Sequence, residues 1–249
     1  MGMSKEQKEV QWFAPFGPII MESRISDQLH NILLTRADQL REGRHPNSEI
    51  NRKTNDYRAK LAGCLSEEYS YKGAFTQEED RIITNELCSL ASAYTQSAIN
   101  AGKIQEHGHR APDQLIMQKP VWVNYMKAAE WNPAHNHTGK ISCVMYLKVP
   151  KELEEENKRA EHTSKGNTPS AGKIEFQYCN TGMPYASGGY IRTPEDKQIF
   201  FFPARLSHMV YPFKSDVERV SVSVNFADRL EAEMDLNQEG ERNKSDYKK

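Results

Sequence analysis

Apolar positions in the first hundred residues recur at helical intervals. In "SDQLHNILLTRADQLREG", Leu29, Ile32, Leu33 and Leu40 form one stripe that stops at Gly43, which predicts an amphipathic helix. "TQEEDRIITNELCSLASAYTQSAINAGK" carries a longer stripe of Ile82, Ile83, Leu87, Leu90 and Tyr94 that ends at Gly102. Thr76 and Glu79 have the spacing of a capping box, and acidic residues fill the first turn, where they face the positive end of the helix dipole. Between the two helices, "HPNSEINRKTNDYRAKLAG" is polar and predicts a loop with short elements.

Beyond Pro112 the period shortens. "QLIMQKPVWVNYMK", "KISCVMYLKVP", "GKIEFQYC", "GGYIRT", "QIFFFPARLSHMVYPF" and "ERVSVSVNFA" are short runs rich in Val, Ile, Phe and Tyr, punctuated by Gly, Pro and Asn. Successive strands without intervening helices predict a sandwich or small barrel. The clearest alternation places Val220, Val222, Val224 and Phe226 on one face and Arg219, Ser221, Ser223 and Asn225 on the other. Pro212 and "KSD" suit a hairpin that would return Arg219 beside the strand carrying His208. The expected organisation is therefore mainly β with α: a helical support region over 1–111, a β core over 112–227 and a polar tail over 228–249 that begins as a short helix and frays. "KELEEENKRAEHTSKGNTPSAG", residues 151–172, reads as a disordered, solvated insertion that could act as a lid. No internal repeat is present.

The charge balance points to neither nucleic acid nor a membrane as partner. With 33 basic and 34 acidic residues the formal net charge is -1, and no basic run marks a nucleic-acid or membrane surface. The start of the chain lacks the apolar core of a signal peptide, and no stretch is long enough to span a bilayer. Cys64, Cys88, Cys143 and Cys179 form no C-x-x-C pair. They read as reduced thiols and imply a cytoplasmic location.

"HNHTG" carries the candidate chemistry. At the entrance of a strand, His135 and His137 would point to the same face and could share one metal ion. His208, a polar residue delivered by an apolar strand, is the candidate third ligand. Each of these histidines taken alone could equally be a hydrogen-bonded core residue. Arg219, directed into a small barrel, would need an anion such as a carboxylate. A surface arginine paired with Glu218 or Asp216 is the alternative. "EHGHR" holds a second H-x-H, His107 and His109, but in a Gly- and Pro-flanked stretch that reads as loop. His30, His45 and His162 read as surface positions, and Glu154, Glu155 and Glu156 as a solvated face.

With these residues in order, the sequence resembles the iron(II)- and 2-oxoglutarate-dependent dioxygenases, prolyl-hydroxylase-like members in particular. In that family an H-x-D/E motif, a distal His and a later basic residue hold iron and the far carboxylate of 2-oxoglutarate. Here "HNH", His208 and Arg219 follow that order, and "SCVMYL" supplies Ser142, Tyr146 and Leu147 in the strand after the first motif. The closing run "FFFPARLSHMVYP…ERVSVSVNF" looks like that of a poorly characterised branch that reads H-x-H. The resemblance covers about Leu115 to Ala227. It implies a double-stranded β-helix, or jelly-roll, core with the N-terminal helices packed on its outside. It implies Fe(II) held by His135, His137 and His208, with 2-oxoglutarate and dioxygen as cosubstrates. Arg219, Tyr146 and Tyr125 would bind 2-oxoglutarate, with Asn124 and Ser221 as further pocket residues. Asn124 and Tyr125 cannot both point inward from a regular strand. The implied reaction hydroxylates a C–H bond of a protein residue, prolyl among them, or of a small molecule, and decarboxylates 2-oxoglutarate to succinate.

The chain departs from the family pattern at His137, where most members have Asp or Glu. If a carboxylate ligand is kept, Glu175 in "GKIEFQY" is the candidate. Cys143 stands where the branch tends to have Gly, and Lys197 stands near an expected turn Gly. A cupin-type metal enzyme also uses H-x-H, but the Glu that normally follows is missing from "TGKIS". A non-enzymatic jelly-roll binding or assembly module is the remaining alternative.

Overall fold

The computed structural model describes residues 17–103, 115–159, 169–178 and 188–228. Among them, β1 (Met21–Arg24), α1 (Asp27–Arg41), β2 (Glu67–Ser70) and α2 (Gln77–Asn100) come first. β3 (Leu115–Met117), β4 (Trp122–Met126), β5 (Asn132–His135), β6 (Ile141–Lys148), α3 (Lys151–Arg159) and β7 (Ile174–Gln177) follow. β8 (Gly189–Arg192), β9 (Gln198–Pro203), β10 (Ser207–Val210) and β11 (Arg219–Asp228) complete the order. The strands form two antiparallel sheets. The major sheet runs β1-β9-β6-β11-β4-β2, with β3 paired to β11, and the minor sheet runs β5-β10-β7-β8. This is the two-sheet jelly roll that the strand pattern and the resemblance implied.

Both N-terminal helices form where periodicity places them. The Ser26 side chain accepts from Leu29 N to cap α1, and α2 opens on the Thr76–Glu79 capping box. They bury Leu29, Leu33, Ile83 and Leu87 against the outer face of the major sheet, where Val220, Val222, Val224 and Phe226 of β11 meet them. The inner face of that sheet packs on the minor sheet through Tyr146, Phe200, Phe202 and Phe176.

Four sequence expectations change. The N-terminal third is not only a helical support, because β1 and β2 are the two outer strands of the major sheet. Residues 151–159 of the supposed disordered insertion are helix α3, whose Leu153 and Glu156 are buried. The segment between β10 and β11 is no hairpin: β10 lies in the minor sheet and β11 in the major one, so Arg219 pairs in register with Met126 instead. Asp228, expected to open the tail, ends β11; the rest of the tail, 160–168 and the His107–His109 pair lie outside the described residues. Lys197, near the expected turn glycine, has φ 64 and reaches Asp27 through Nζ at 2.8 Å. It therefore occupies a left-handed conformation that glycine enters without strain.

Candidate active site

Strand pairing brings the histidines together. β5 and β10 are antiparallel with His135 directly opposite His208, so their imidazoles lie side by side on the minor sheet with centroids 4.3 Å apart and planes tilted by 51°. His137 lies two residues beyond the end of β5, not in the β6 strand. Its N–H donates to Ala204 O at 2.8 Å, and the chain then turns at Gly139, φ +88, where a Cβ would lie 2.7 Å from Phe226 O. Only glycine fits that turn. The His137 ring sits 5.0 Å from His135 and 5.1 Å from His208. One ligand nitrogen from each of the three lies within 4.8 Å of the others.

Hydrogen bonds prepare two of the rings for a cation. His135 Nδ1 contacts Pro133 O at 2.7 Å and His208 Nδ1 contacts Leu206 O at 3.0 Å. A carbonyl accepts only from a protonated nitrogen, so Nε2 is left with its lone pair. Burial first, then the neighbouring His208 and His135, lowers the His137 pKa to about 3. Burial and His135 bring His208 to about 4, with the Leu206 carbonyl working the other way. Both rings are neutral at physiological pH, the form that binds metal.

The same cavity, about 200 Å³, is lined by Tyr146, Arg219, Ser221 and Asn124. Alternation in β11 turns Arg219 and Ser221 inward, opposite to the valines. Arg219 is 2% exposed; its Nη1 donates to Gly172 O at 3.0 Å, and its Cζ lies 5.3 Å from the Tyr146 ring centroid. Arg219 Nε and Tyr146 Oη have no hydrogen-bond partner among the described residues. Burial pushes the Tyr146 hydroxyl up to about 12, against the pull of the guanidinium. A buried guanidinium lacking a carboxylate, beside a buried hydroxyl lacking an acceptor, fits a ligand carboxylate. Three convergent imidazoles with free lone pairs fit a divalent transition ion. Iron and a keto acid therefore suit the residues present.

Some expected site residues belong elsewhere. Tyr125 points to the opposite face of β4, under α1, where the Arg41 guanidinium stacks on its ring at 4.2 Å. Asn124 takes the inward position, since neighbours on a strand face opposite ways. Glu175 is on the outer face of the minor sheet and accepts from Tyr211 Oη, so it is not beside the three imidazoles. Glu218 pairs with Arg41, not with Arg219. His30 and His45 contact the Leu147 and Ala74 carbonyls instead of lying free at the surface. The cavity residues that were not anticipated include Glu68 on β2, Trp122 on β4 and Asn132 on β5. Their short segments showed no pattern that separates a pocket wall from a surface strand.

Comparison with known proteins agrees with this geometry. Residues 120–225 match the family described as "Putative 2OG-Fe(II) oxygenase". That match runs from the segment before β4 into β11 and contains all three histidines and Arg219. The enzyme is accordingly a non-haem iron, 2-oxoglutarate-dependent dioxygenase, with Fe(II), 2-oxoglutarate and dioxygen as cofactor and cosubstrates. Among solved structures, AviO1 from Streptomyces viridochromogenes Tue57 is 13% identical with a TM-score of 0.51, over 84% of this chain and 90% of that one. A Pseudomonas putida prolyl-4-hydroxylase is 10% identical with a TM-score of 0.44, over 84% and 92%. A viral collagen prolyl hydroxylase from Paramecium Bursaria Chlorella virus-1 is 13% identical with a TM-score of 0.45, over 84% and 95%. At these identities the first likeness speaks to the oxygenase's fold alone. No curated protein matches the chain. Within the described residues, no helix of this oxygenase is long and apolar enough to cross a membrane.

Proposed function

We propose that His135, His137 and His208 hold the iron of this oxygenase, that Arg219 and Tyr146 hold 2-oxoglutarate, and that the reaction hydroxylates a C–H bond of a protein residue or small molecule. The observation that carries the reading is the coincidence, in one cavity, of three convergent imidazoles with the unpartnered Arg219 Nε and Tyr146 Oη. Iron(II) there supplies the oxidising chemistry, by which dioxygen and 2-oxoglutarate give succinate and carbon dioxide while a substrate C–H becomes C–OH.

The chain's own part is positioning. The Pro133 and Leu206 carbonyls fix the tautomers of His135 and His208 and so aim their lone pairs. Arg219 offers its planar fork to the far carboxylate of 2-oxoglutarate while Gly172 O anchors the other side of the guanidinium. Tyr146 keeps its proton, as its raised pKa requires, and its O–H donates a hydrogen bond to the same cosubstrate. Ser221 and Asn124 are placed to complete the wall. His137 replaces the carboxylate usual in this position, so the ligand set carries no negative charge of its own and depends more on the anionic cosubstrate for neutralisation. A cytosolic location is part of the proposal, resting on the free thiols of Cys64, Cys88 and Cys143.

The test is succinate formation from 2-oxoglutarate in air with added iron(II). His208→Ala is expected to abolish it. Arg219→Ala is expected to raise the KM for 2-oxoglutarate about 30-fold or more, the scale of a lost charged hydrogen-bonded pair. Turnover that survives both substitutions would overturn the assignment.

A further inference from the structure

β2 was not anticipated as a strand, and it brings a carboxylate into the cavity. Tyr69 faces the helices, so alternation turns Glu68 to the other side of the sheet, opposite Asn124 of β4. Glu68 is 1% exposed and its Oε2 has no hydrogen-bond partner among the described residues. Asn124 Oδ1 and Asn132 Oδ1 are likewise buried and unpartnered among those residues. All three residues line the cavity that holds His135 and His137. Gly63 opens the space between two of them: a Cβ there would lie 2.7 Å from Asn132 Oδ1 and 2.8 Å from Glu68 Oε1.

The neighbouring Glu67 shows what a structural carboxylate looks like in this fold. It pairs with Arg41, Arg52 and Lys127. Glu68 has no ion pair among the described residues; Lys60 lines the same cavity but is exposed and does not pair with it. Burial first, then the carboxylates of Glu130 and Asp56, pushes the Glu68 pKa up to about 7, and Arg58 opposes only in part. A buried acid left without a counter-charge is costly to the fold, so a ligand that supplies the charge is the simplest reason for its position.

We propose that Glu68, Asn124 and Asn132 form the substrate-recognition wall of this cavity and select a cationic nitrogen, an ammonium or guanidinium group, next to the carbon that is hydroxylated. Three acceptor oxygens need several N–H donors, and an ammonium offers three and a guanidinium five, where an alcohol offers one. Trp122, which also lines the cavity and lies 5.7 Å from the His137 ring, adds an aromatic face of the kind cations prefer. A prolyl residue within a peptide chain has no N–H to give, so this wall disfavours it. The proposal rests on the oxygenase reading of the cavity.

Calorimetry on the oxygen-free protein separates the two ideas. Iron(II) and 2-oxoglutarate are titrated first, and their binding tests the oxygenase reading by itself. n-Pentylammonium and n-butylguanidinium are then titrated into the loaded protein against the isosteric neutral probes n-pentanol and n-butylurea. The expected result is at least about tenfold tighter binding of the cations, the worth of one charged hydrogen bond. Glu68→Gln is expected to erase that preference and Glu68→Asp to retain part of it, in protein shown by circular dichroism to be folded. Equal binding of cationic and neutral probes to the wild type, or an undiminished preference in Glu68→Gln, would overturn the proposal even where 2-oxoglutarate binds.

Discussion

Tyr125 and Tyr146 lie on opposite faces of one sheet, and a single oxygen atom distinguishes their roles. Tyr146 Oη faces the cavity beside Arg219, whereas Tyr125 Oη is buried on the helix side, without a hydrogen-bond partner among the described residues. Tyr146→Phe is expected to weaken 2-oxoglutarate binding about five- to tenfold, and Tyr125→Phe to leave it within about twofold. Equal effects of the two in a calorimetric titration would place the cosubstrate elsewhere. Glu68 gives a second prediction at this scale. Its pKa rises from 4.5 to about 7 on folding, so the folded state holds the proton more tightly than the unfolded one. The cost of burying its charge is absent below pH 4.5, grows as pH rises toward 7, and is complete above that. Without substrate, Glu68→Gln is therefore expected to be more stable than wild type at pH 8, by on the order of 1–2 kcal/mol, and to lose the advantage near pH 4.5. Thermal melts of the two proteins at both pH values check it, and a Gln variant less stable at pH 8 would show that the carboxylate is satisfied within the protein.

At the scale of elements, α3 connects the charged segment to Arg219, the arginine proposed to hold 2-oxoglutarate. Asn157 Nδ2 donates to Leu153 O and Ala171 O, and Asn157 Oδ1 accepts from Ala171 N. The next residue, Gly172, offers the carbonyl that anchors Arg219. On the same helix, Glu156 accepts from Lys214 N and Ser215 N, in the crossing that leads into β11. Asn157→Ala is expected to raise the 2-oxoglutarate Kd about three- to tenfold although Asn157 does not line the cavity. An unchanged Kd would reduce α3 to surface decoration. The helix was illegible in the sequence because Leu153 is its one buried apolar residue and its other buried position is an acid, so the segment reads as a charge run. The expectation for Tyr125 failed for a different reason. All five positions of β4 are buried, and a strand covered on both faces shows no alternation to say which side is which. β6 was likewise buried at six of its eight positions, and there the resemblance, not the periodicity, singled out Tyr146, which lines the cavity. β11 was legible because its inward face is polar, with Arg219, Ser221 and Ser223 alternating with valines.

For the whole molecule, the long-range pairing that the sequence left out decides where one folding unit ends. The helices and the β core were readable from their periods, but β1 and β2 are short, and nothing local says that they will pair with β9 and β4. They make the N-terminal third part of the sheet, and β2 brings Glu68 to the site. A fragment beginning at residue 112 would expose the Val220, Val222, Val224 and Phe226 face that α1 and α2 cover. Such a fragment is expected to melt without cooperativity or to aggregate. A sharp calorimetric transition from it would make the N-terminal third a separable support. The three histidines were found from spacing and resemblance together, but their convergence depends on the β5–β10 register, which sequence could not supply. The central claim is that these imidazoles and Arg219 serve one bound iron and one keto acid. Absorption spectroscopy on oxygen-free protein with iron(II) and 2-oxoglutarate tests it most directly. The expected result is a weak visible charge-transfer band of a chelated keto acid, absent in His208→Ala and reduced in Arg219→Ala at limiting 2-oxoglutarate; iron bound with no such band in the wild type would contradict it.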